Sequence, residues 1–409
     1  MTTESVFTGL KVLDASTYIA GPAAATMLSD FGADVIKVEP PGTGDPQRRL
    51  SFVPPSPRAE ANYGWHLANR NKRGMVIDLK SPATTEILKR LVEWADVVIT
   101  NFPHGTREKL HLDYDQVSSW NPRVVYADIT GFGDAGPDAG QPGFDLTAYW
   151  SRSGLLASTR DAGAPPTVPV WGSGDYTSAI AIYAAIVTAL FRRARTGQGA
   201  SVGTSLLATG VWATGTLVAG ALAGGTPFEL HDRSAPVNAL TNPYRTSDGR
   251  WFMLATSSVH WPRLTRAIGH PELPEDPRFA DVEALVENAA AVSELLDTEF
   301  RSRPFAHWKD VLDRERITYS LIQTPEESAQ DPQLRANDIV VPLEGVPGLT
   351  ETVNSPVNLR GIPKVPAKRA PELGEHTDEI LAEMGFGPAQ IARLRAQGAI
   401  PGAPEEEAA

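Results

Sequence analysis

Residues 11–39 read KVLDASTYIAGPAAATMLSDFGADVIKVE. Two short apolar runs, Lys11–Ala15 and Asp34–Glu39, flank a stretch of helical composition, Ala23–Phe31. Ala20-Gly21-Pro22 puts proline where a helix starts, because the first turn has no partner for the missing N–H anyway. Gly32 then ends the helix. Strand, helix, strand is a βαβ unit, which demands parallel strands. The alternation continues downstream. Met75–Leu79 reads as a third strand, and Ser81-Pro82 caps and opens a helix through Trp94. Asp96–Thr100 and Val124–Ile129 read as the fourth and fifth strands. The fold class is therefore α/β with a mostly parallel sheet.

Farther on, Thr177–Arg193 carries two apolar stripes. Ile180, Ala184, Val187 and Phe191 form one, and Ile182, Ile186 and Leu190 the other. A helix apolar on most sides is expected to be buried. After Gly225 the texture changes. Ser247-Asp248-Gly249 turns into a strand, Trp251–Ala255, followed by helices at Val282–Phe300 and Phe305–Arg316. The expected organisation is a large domain over 1–200, a linker helix over 201–225 and a smaller α+β domain over 226–325. A return segment over 326–409 completes the large domain. It is proline-rich until a last helix at Thr377–Met384, and its tail Pro404–Ala409 is expected to be disordered.

The 409 residues allow two or three domains. With 37 basic and 49 acidic residues the net charge is −12, which argues against a nucleic-acid partner. The chain has no cysteine, which excludes disulfides, a thiol nucleophile and cysteine-ligated metals. The start, MTTESVFTGLKVLD, lacks a basic segment leading into an apolar core, so a cytoplasmic location is expected. Between Arg195 and Glu229 there is no charge, but the segment is broken by glycines and polar residues, so no membrane span is expected.

Several motifs fail on context. Gly199-Ala200-Ser201-Val202-Gly203 matches the serine-hydrolase elbow, yet a turn precedes it and a strand follows, the reverse of what the elbow needs. The first turn, Ser16–Pro22, lacks the glycines of a dinucleotide fingerprint. The eight histidines show no metal-binding spacing, so no metal is expected. Asp175, in Gly172-Ser173-Gly174-Asp175, has two readings. It can cap the following helix, which spacing alone favours, or it can be a carboxylate held in a water-poor place beside flanking glycines. A polar, basic set lies after strands of the first domain: Asn69–Arg73, Lys80, Asn101-Phe102 and Arg107–Lys109. It reads either as a solvated rim or as a phosphate-ligand site, since open α/β sheets bind ligands beyond their strands' carboxyl ends.

Taken in order, many strings resemble the class III CoA-transferases, the CaiB/BaiF family. They include Gly9–Asp14, Ala20-Gly21-Pro22, Gly32–Glu39, Gly44-Asp45, Asn71-Lys72-Arg73 and Asp78-Leu79-Lys80. Ala95–Phe102, Asn121-Pro122-Arg123, Gly174-Asp175, Thr196–Gly199 and Gly374–Thr377 follow. The resemblance implies a Rossmann-like large domain, a small domain and two chains interlocked as a homodimer. It implies Asp175 as the nucleophile, forming a mixed anhydride and then an aspartyl-CoA thioester. It places Thr17, Tyr18, Ile19, Lys80, Asn101, Phe102 and Lys109 against CoA, with Phe144 and Asp145 lining the acyl pocket. Acyl-CoA and a carboxylic acid are the implied substrates, with no permanently bound cofactor.

Formyl-CoA transferases carry glutamine at the position of Ile19 and a basic residue at that of Pro41. Isoleucine cannot hydrogen-bond, so formate and oxalate fit poorly, and Arg48 or Arg49 is expected to help with the CoA phosphates. The alternative is an acyl-CoA racemase or isomerase of the α-methylacyl-CoA racemase branch. That chemistry needs two bases, and the histidine of its Gly-His-Asp string is Phe144 here.

Overall fold

The computed structural model describes residues 5–401; the expected tail at Pro404–Ala409 lies outside them. By contacts the chain divides into two units. One comprises Met1–Leu156, Val168–Ala223 and Pro332–Ala409, the other Ala157–Thr167 and Gly224–Asp331.

The larger unit is built on six parallel strands: β1 (Lys11–Ala15), β2 (Asp34–Glu39), β3 (Arg73–Val76), β4 (Val97–Thr100), β5 (Val125–Thr130) and β6 (Ala200–Ser205). Their order is β3-β2-β1-β4-β5-β6. Helices cover both faces, which is why the strands read as nearly continuous apolar runs. On one face Leu13, Ile36 and Val98 pack with Ile87 and Leu91 of helix α1 (Thr85–Trp94) and with Ile380, Leu381 and Leu394 of the returning C-terminal segment. On the other, Val12, Val35 and Ile99 pack with Ala24 and Leu28 of the first helix, Ala20–Ser29, and with Ile182 and Ile186 of α2 (Ser173–Thr196).

Several expectations shift. The third strand stops at Val76 rather than Leu79. Its neighbour β2 runs into Pro40-Pro41, so the bond from the Ile77 amide to the Glu39 carbonyl (3.0 Å) ends the ladder. Helix α2 starts at Ser173, four residues earlier than expected, with Gly172 left-handed at its cap (φ 80°). Only its Ile182–Ile186 side is buried. Ile180 and Phe191 of the other stripe are exposed, so the helix is not buried on most sides. By length and composition α2 alone among the described residues could cross a membrane. The linker helix expected over 201–225 is instead the end of β6 and two helices, α3 (Leu206–Ala213) and α4 (Gly215–Leu222). Ser201 sits within β6, paired with Tyr126, not on an elbow. The return segment holds a small sheet, Val340–Glu344, Glu351–Val353 and Ala367–Lys368, and a further helix, Pro388–Ala396, after the one at Thr377–Glu383.

The smaller unit has an antiparallel sheet of Thr241–Arg245, Trp251–Ala255 and Tyr319–Leu321. Its core is aromatic: Phe300 meets Phe252 edge-on at 4.9 Å and Trp308 at 5.1 Å. The helix expected at Val282–Phe300 breaks at Asn288 into two.

Candidate active site

The strand order reverses direction between β1 and β4, and ligands of open α/β sheets bind at such a point. The loop after β1 and the residue after β4 meet there. The Thr17 amide donates to Asn101 Oδ1 (2.8 Å), and Asn101 Nδ2 donates to the Thr17 carbonyl (2.7 Å). Tyr18 follows in the left-handed region (φ 62°). Its amide donates to Asp45 Oδ1 at 3.0 Å, which fixes a conformation unfavourable for a bulky residue.

Beneath this loop lies a buried charge network. Lys37 pairs with Asp45 at 2.9 Å and donates to the Ser16 carbonyl. Lys72 pairs with Asp14 at 2.8 Å and donates to the Pro22 and Ala68 carbonyls. Burial opposes the charge on Asp14, but Lys37 and Lys72 overcome it and hold its carboxyl below the ordinary value. Burial also brings the Lys72 ammonium down to about 8, against the pull of Asp14. Sequence reading missed this network, because Lys37 within DVIKVE looks like the solvent side of a strand and nothing local marks Asp45 as its partner.

One wall of the site is a cleft of about 680 Å³ lined by Thr17, Lys80, Phe102, Thr106 and Lys109 among others. Most of the expected basic rim is spent elsewhere. Arg70 pairs with Asp30 (2.6 Å), Arg73 with Asp34, Glu379 and Glu383, and buried Arg107 with Asp128 and Asp134. Arg48 is bidentate on Glu39 and stacked 3.8 Å over Trp65, so it is a structural residue here. Arg49 is exposed. Lys80 and Lys109 are the basic side chains that face the cleft.

The other wall is the start of α2. Asp145 is buried, and its carboxylate accepts the amides of Gly172 and Gly174 (2.9 Å for the latter). A Cβ on Gly174 would fall 2.2 Å from Asp145 Oδ1 and 2.3 Å from the Tyr149 ring, so glycine alone permits the approach. Asp145 therefore caps the helix from outside. Asp175, third residue of α2, is not the cap the spacing favoured; Gly172 occupies that position. The Gly172 and Gly174 amides are spent on Asp145 rather than left for an oxyanion. Asp175 is half-buried. Burial first, and the Asp145 carboxylate second, push its carboxyl up to about 7. Burial also raises Asp145, against the two amide hydrogen bonds.

The loop after β1 joins the two walls. Thr17 lines the cleft, Tyr18 meets exposed Phe144 edge-to-face at 5.8 Å, and buried Ile19 points its Cδ1 towards Gly172. The structure thus brings Thr17, Lys80, Phe102 and Lys109 together, and separately Tyr18, Ile19, Phe144 and Asp145 near Asp175. Asn101 acts on the backbone of the loop. Among the described residues no group of three histidine or acidic side chains is placed to hold a metal ion.

The model of the family described as CoA-transferase family III matches residues 7–377. The chain is 32% identical to the (R)-2-hydroxy-4-methylpentanoate CoA-transferase of Clostridioides difficile, over 94% of this chain and 96% of that protein. It is 30% identical to the cinnamoyl-CoA:phenyllactate CoA-transferase of Clostridium sporogenes, over 95% and 96%. The crystal structure of a CaiB/BaiF family protein from Brucella suis superposes with a TM-score of 0.81 at 30% identity, covering 93% of this chain and 100% of that one. On that match across nearly its whole length, the chain belongs to the CoA-transferase family III.

Proposed function

We propose that this CoA-transferase moves CoA between carboxylic acids through covalent chemistry at Asp175. The observation that carries the reading is a half-buried carboxylate pushed up to about 7 at the start of a helix, beside the ligand crevice of a parallel sheet. A raised carboxylate, once ionised, is a stronger nucleophile than an ordinary one, and it still ionises near neutral pH.

The steps balance without proton transfer. Asp175 attacks the acyl-CoA carbonyl, forming a mixed anhydride and expelling CoA thiolate. The thiolate attacks the aspartyl carbonyl, giving an aspartyl-CoA thioester and releasing the first acid. The second acid attacks that thioester, forming a new anhydride and expelling the thiolate again. Thiolate attack on the incoming acyl carbonyl then yields the new acyl-CoA and frees Asp175. In this reading Lys80 and Lys109 meet the CoA phosphates and Phe102 offers a ring to the adenine. Thr17, Tyr18 and Ile19, held by Asn101 and Asp45, carry the thioester end past Phe144 and Asp145. Coenzyme A is substrate rather than resident cofactor, and no metal takes part.

The same reading places the enzyme in the cytoplasm, without nucleic acid or membrane, as an interlocked homodimer. Apolar side chains left outside support a second copy: Phe191 on α2, Trp212 at 88% exposure on α3 and Leu222 at 85% on α4. Racemisation lacks its second base, since the Phe144 ring cannot carry a proton.

Intact mass tests the reading. Wild type mixed with a panel of acyl-CoAs should gain a CoA-sized adduct, released by hydroxylamine and absent in Asp175→Ala. No adduct with any donor, together with deuterium wash-in at the α-carbon, overturns it.

A further inference from the structure

We propose that the acid exchanged at Asp175 is a monocarboxylic acid with an apolar side chain, branched or aryl, and that Tyr18 and Phe144 select it. The proposal rests on the CoA-transfer reading above.

Charge supplies the first argument. The one charged neighbour that acts on Asp175 is another carboxylate, Asp145. The cations of the surrounding elements are committed: Arg48 to Glu39, Arg70 to Asp30 and Lys72 to Asp14. When the acceptor acid attacks, Asp175 is held as its CoA thioester, so a second carboxylate on the substrate would meet the remaining Asp145 anion in a half-dry place, which is unfavourable. Dicarboxylic acids are therefore poor partners.

Shape supplies the second. The Tyr18 and Phe144 rings stand nearly perpendicular, at 82°, and Phe144 is 58% exposed. The pair is built into the site at both ends. Phe144 directly precedes Asp145, which holds the start of α2, and Ile19 after Tyr18 abuts Gly172. An exposed aromatic face so anchored offers contact to a side chain, and each methylene it covers is worth about fourfold in affinity. An acid of one or two carbons leaves that face bare.

The test uses the full chain loaded with CoA by whichever acyl-CoA labels Asp175. Acceptor acids are compared by kcat/KM, reading the acyl-CoA formed. We expect 4-methylpentanoate and 3-phenylpropionate to exceed acetate and succinate by at least thirtyfold. Phe144→Ala should narrow that ratio at least fivefold, and Phe144→Lys, which supplies a cation, should move preference towards succinate. Succinate or acetate as the best acceptor of the wild type overturns the proposal and leaves CoA transfer standing. An unchanged ratio in both variants removes Phe144 as the selector. If no acyl-CoA labels Asp175 and no acid is converted, the CoA-transfer reading itself fails, and the proposal with it.

Discussion

Asp14 accepts a hydrogen bond from Ser16 at the start of the loop after β1, and Asp175 stands by Gly172, which abuts Ile19 at the loop's end; their carboxyls are driven in opposite directions. Both lose water. Asp14 is wholly buried, yet Lys37 and Lys72 hold it below the ordinary value. Asp175 is less buried, yet it rises to about 7, because burial acts on it unopposed by any cation and the Asp145 carboxylate adds to the rise. The difference teaches that burial pushes both carboxyls up and that paired cations decide where the push is reversed. One carboxylate is made permanently charged and serves as scaffold. The other, the proposed nucleophile, is kept partly protonated near neutral pH, at a cost to folding.

The contrast can be broken from either side. Removing the poised carboxylate should destroy turnover and spare the fold. Asp175→Ala is expected to lose about 10⁶-fold in kcat, as on removal of other covalent nucleophiles, with an unchanged denaturation midpoint or a higher one. A variant with near wild-type turnover would end the nucleophile assignment. Removing a scaffold cation should do the reverse. Lys37→Met leaves buried Asp45 without its cation and Asp14 with Lys72 alone, and should cost about 3–5 kcal/mol in urea unfolding. A loss under about 1 kcal/mol would mean the network is not what holds the loop.

Much of this was legible in the chain, for a physical reason. Parallel strands buried on both faces must be apolar throughout, so VLDA, VIKV and VVIT announced themselves. The resemblance then pointed to Asp175 and the loop 17–19. What stayed hidden was side-chain pairing across distance. Nothing in the strings around Asp45 says that it fixes the Tyr18 amide 27 residues away. Nothing local says that Arg48 is consumed by Glu39, or that Asp145 rather than Asp175 caps α2. The local pattern correctly saw a cap at that helix start. It chose the wrong aspartate, because the true cap comes from a loop some thirty residues earlier.

The poised state should show in the pH profile. A protonated Asp175 cannot attack, so kcat/KM should fall about tenfold per pH unit below about 7, roughly a hundredfold by pH 5. Asp145→Asn removes the like charge, and the midpoint should move to lower pH. A flat profile between pH 5 and 8, with chemistry rate-limiting, would contradict the poised carboxylate.

The smallest effect is the most discriminating, because it separates poise from catalysis. Asp175 has an ordinary value of 3.8 in the unfolded chain and about 7 in the fold. Between those values the folded protein binds more protons than the unfolded one, so this group's contribution to stability falls as pH rises through that window. Below about pH 4 both states are protonated and the penalty vanishes. Above about pH 7 it is complete. Asp175→Asn keeps the shape and removes the charge. It should therefore match the wild type near pH 4 and exceed it at pH 8 by about 2 kcal/mol, a value trimmed because the group is only partly shielded from water. The same comparison at Asp14 should run the other way, with Asp14→Asn less stable at pH 8. Equal stability of Asp175→Asn and wild type at both pH values would mean that water relieves the carboxylate, and the contrast between the two aspartates would lose its energetic basis.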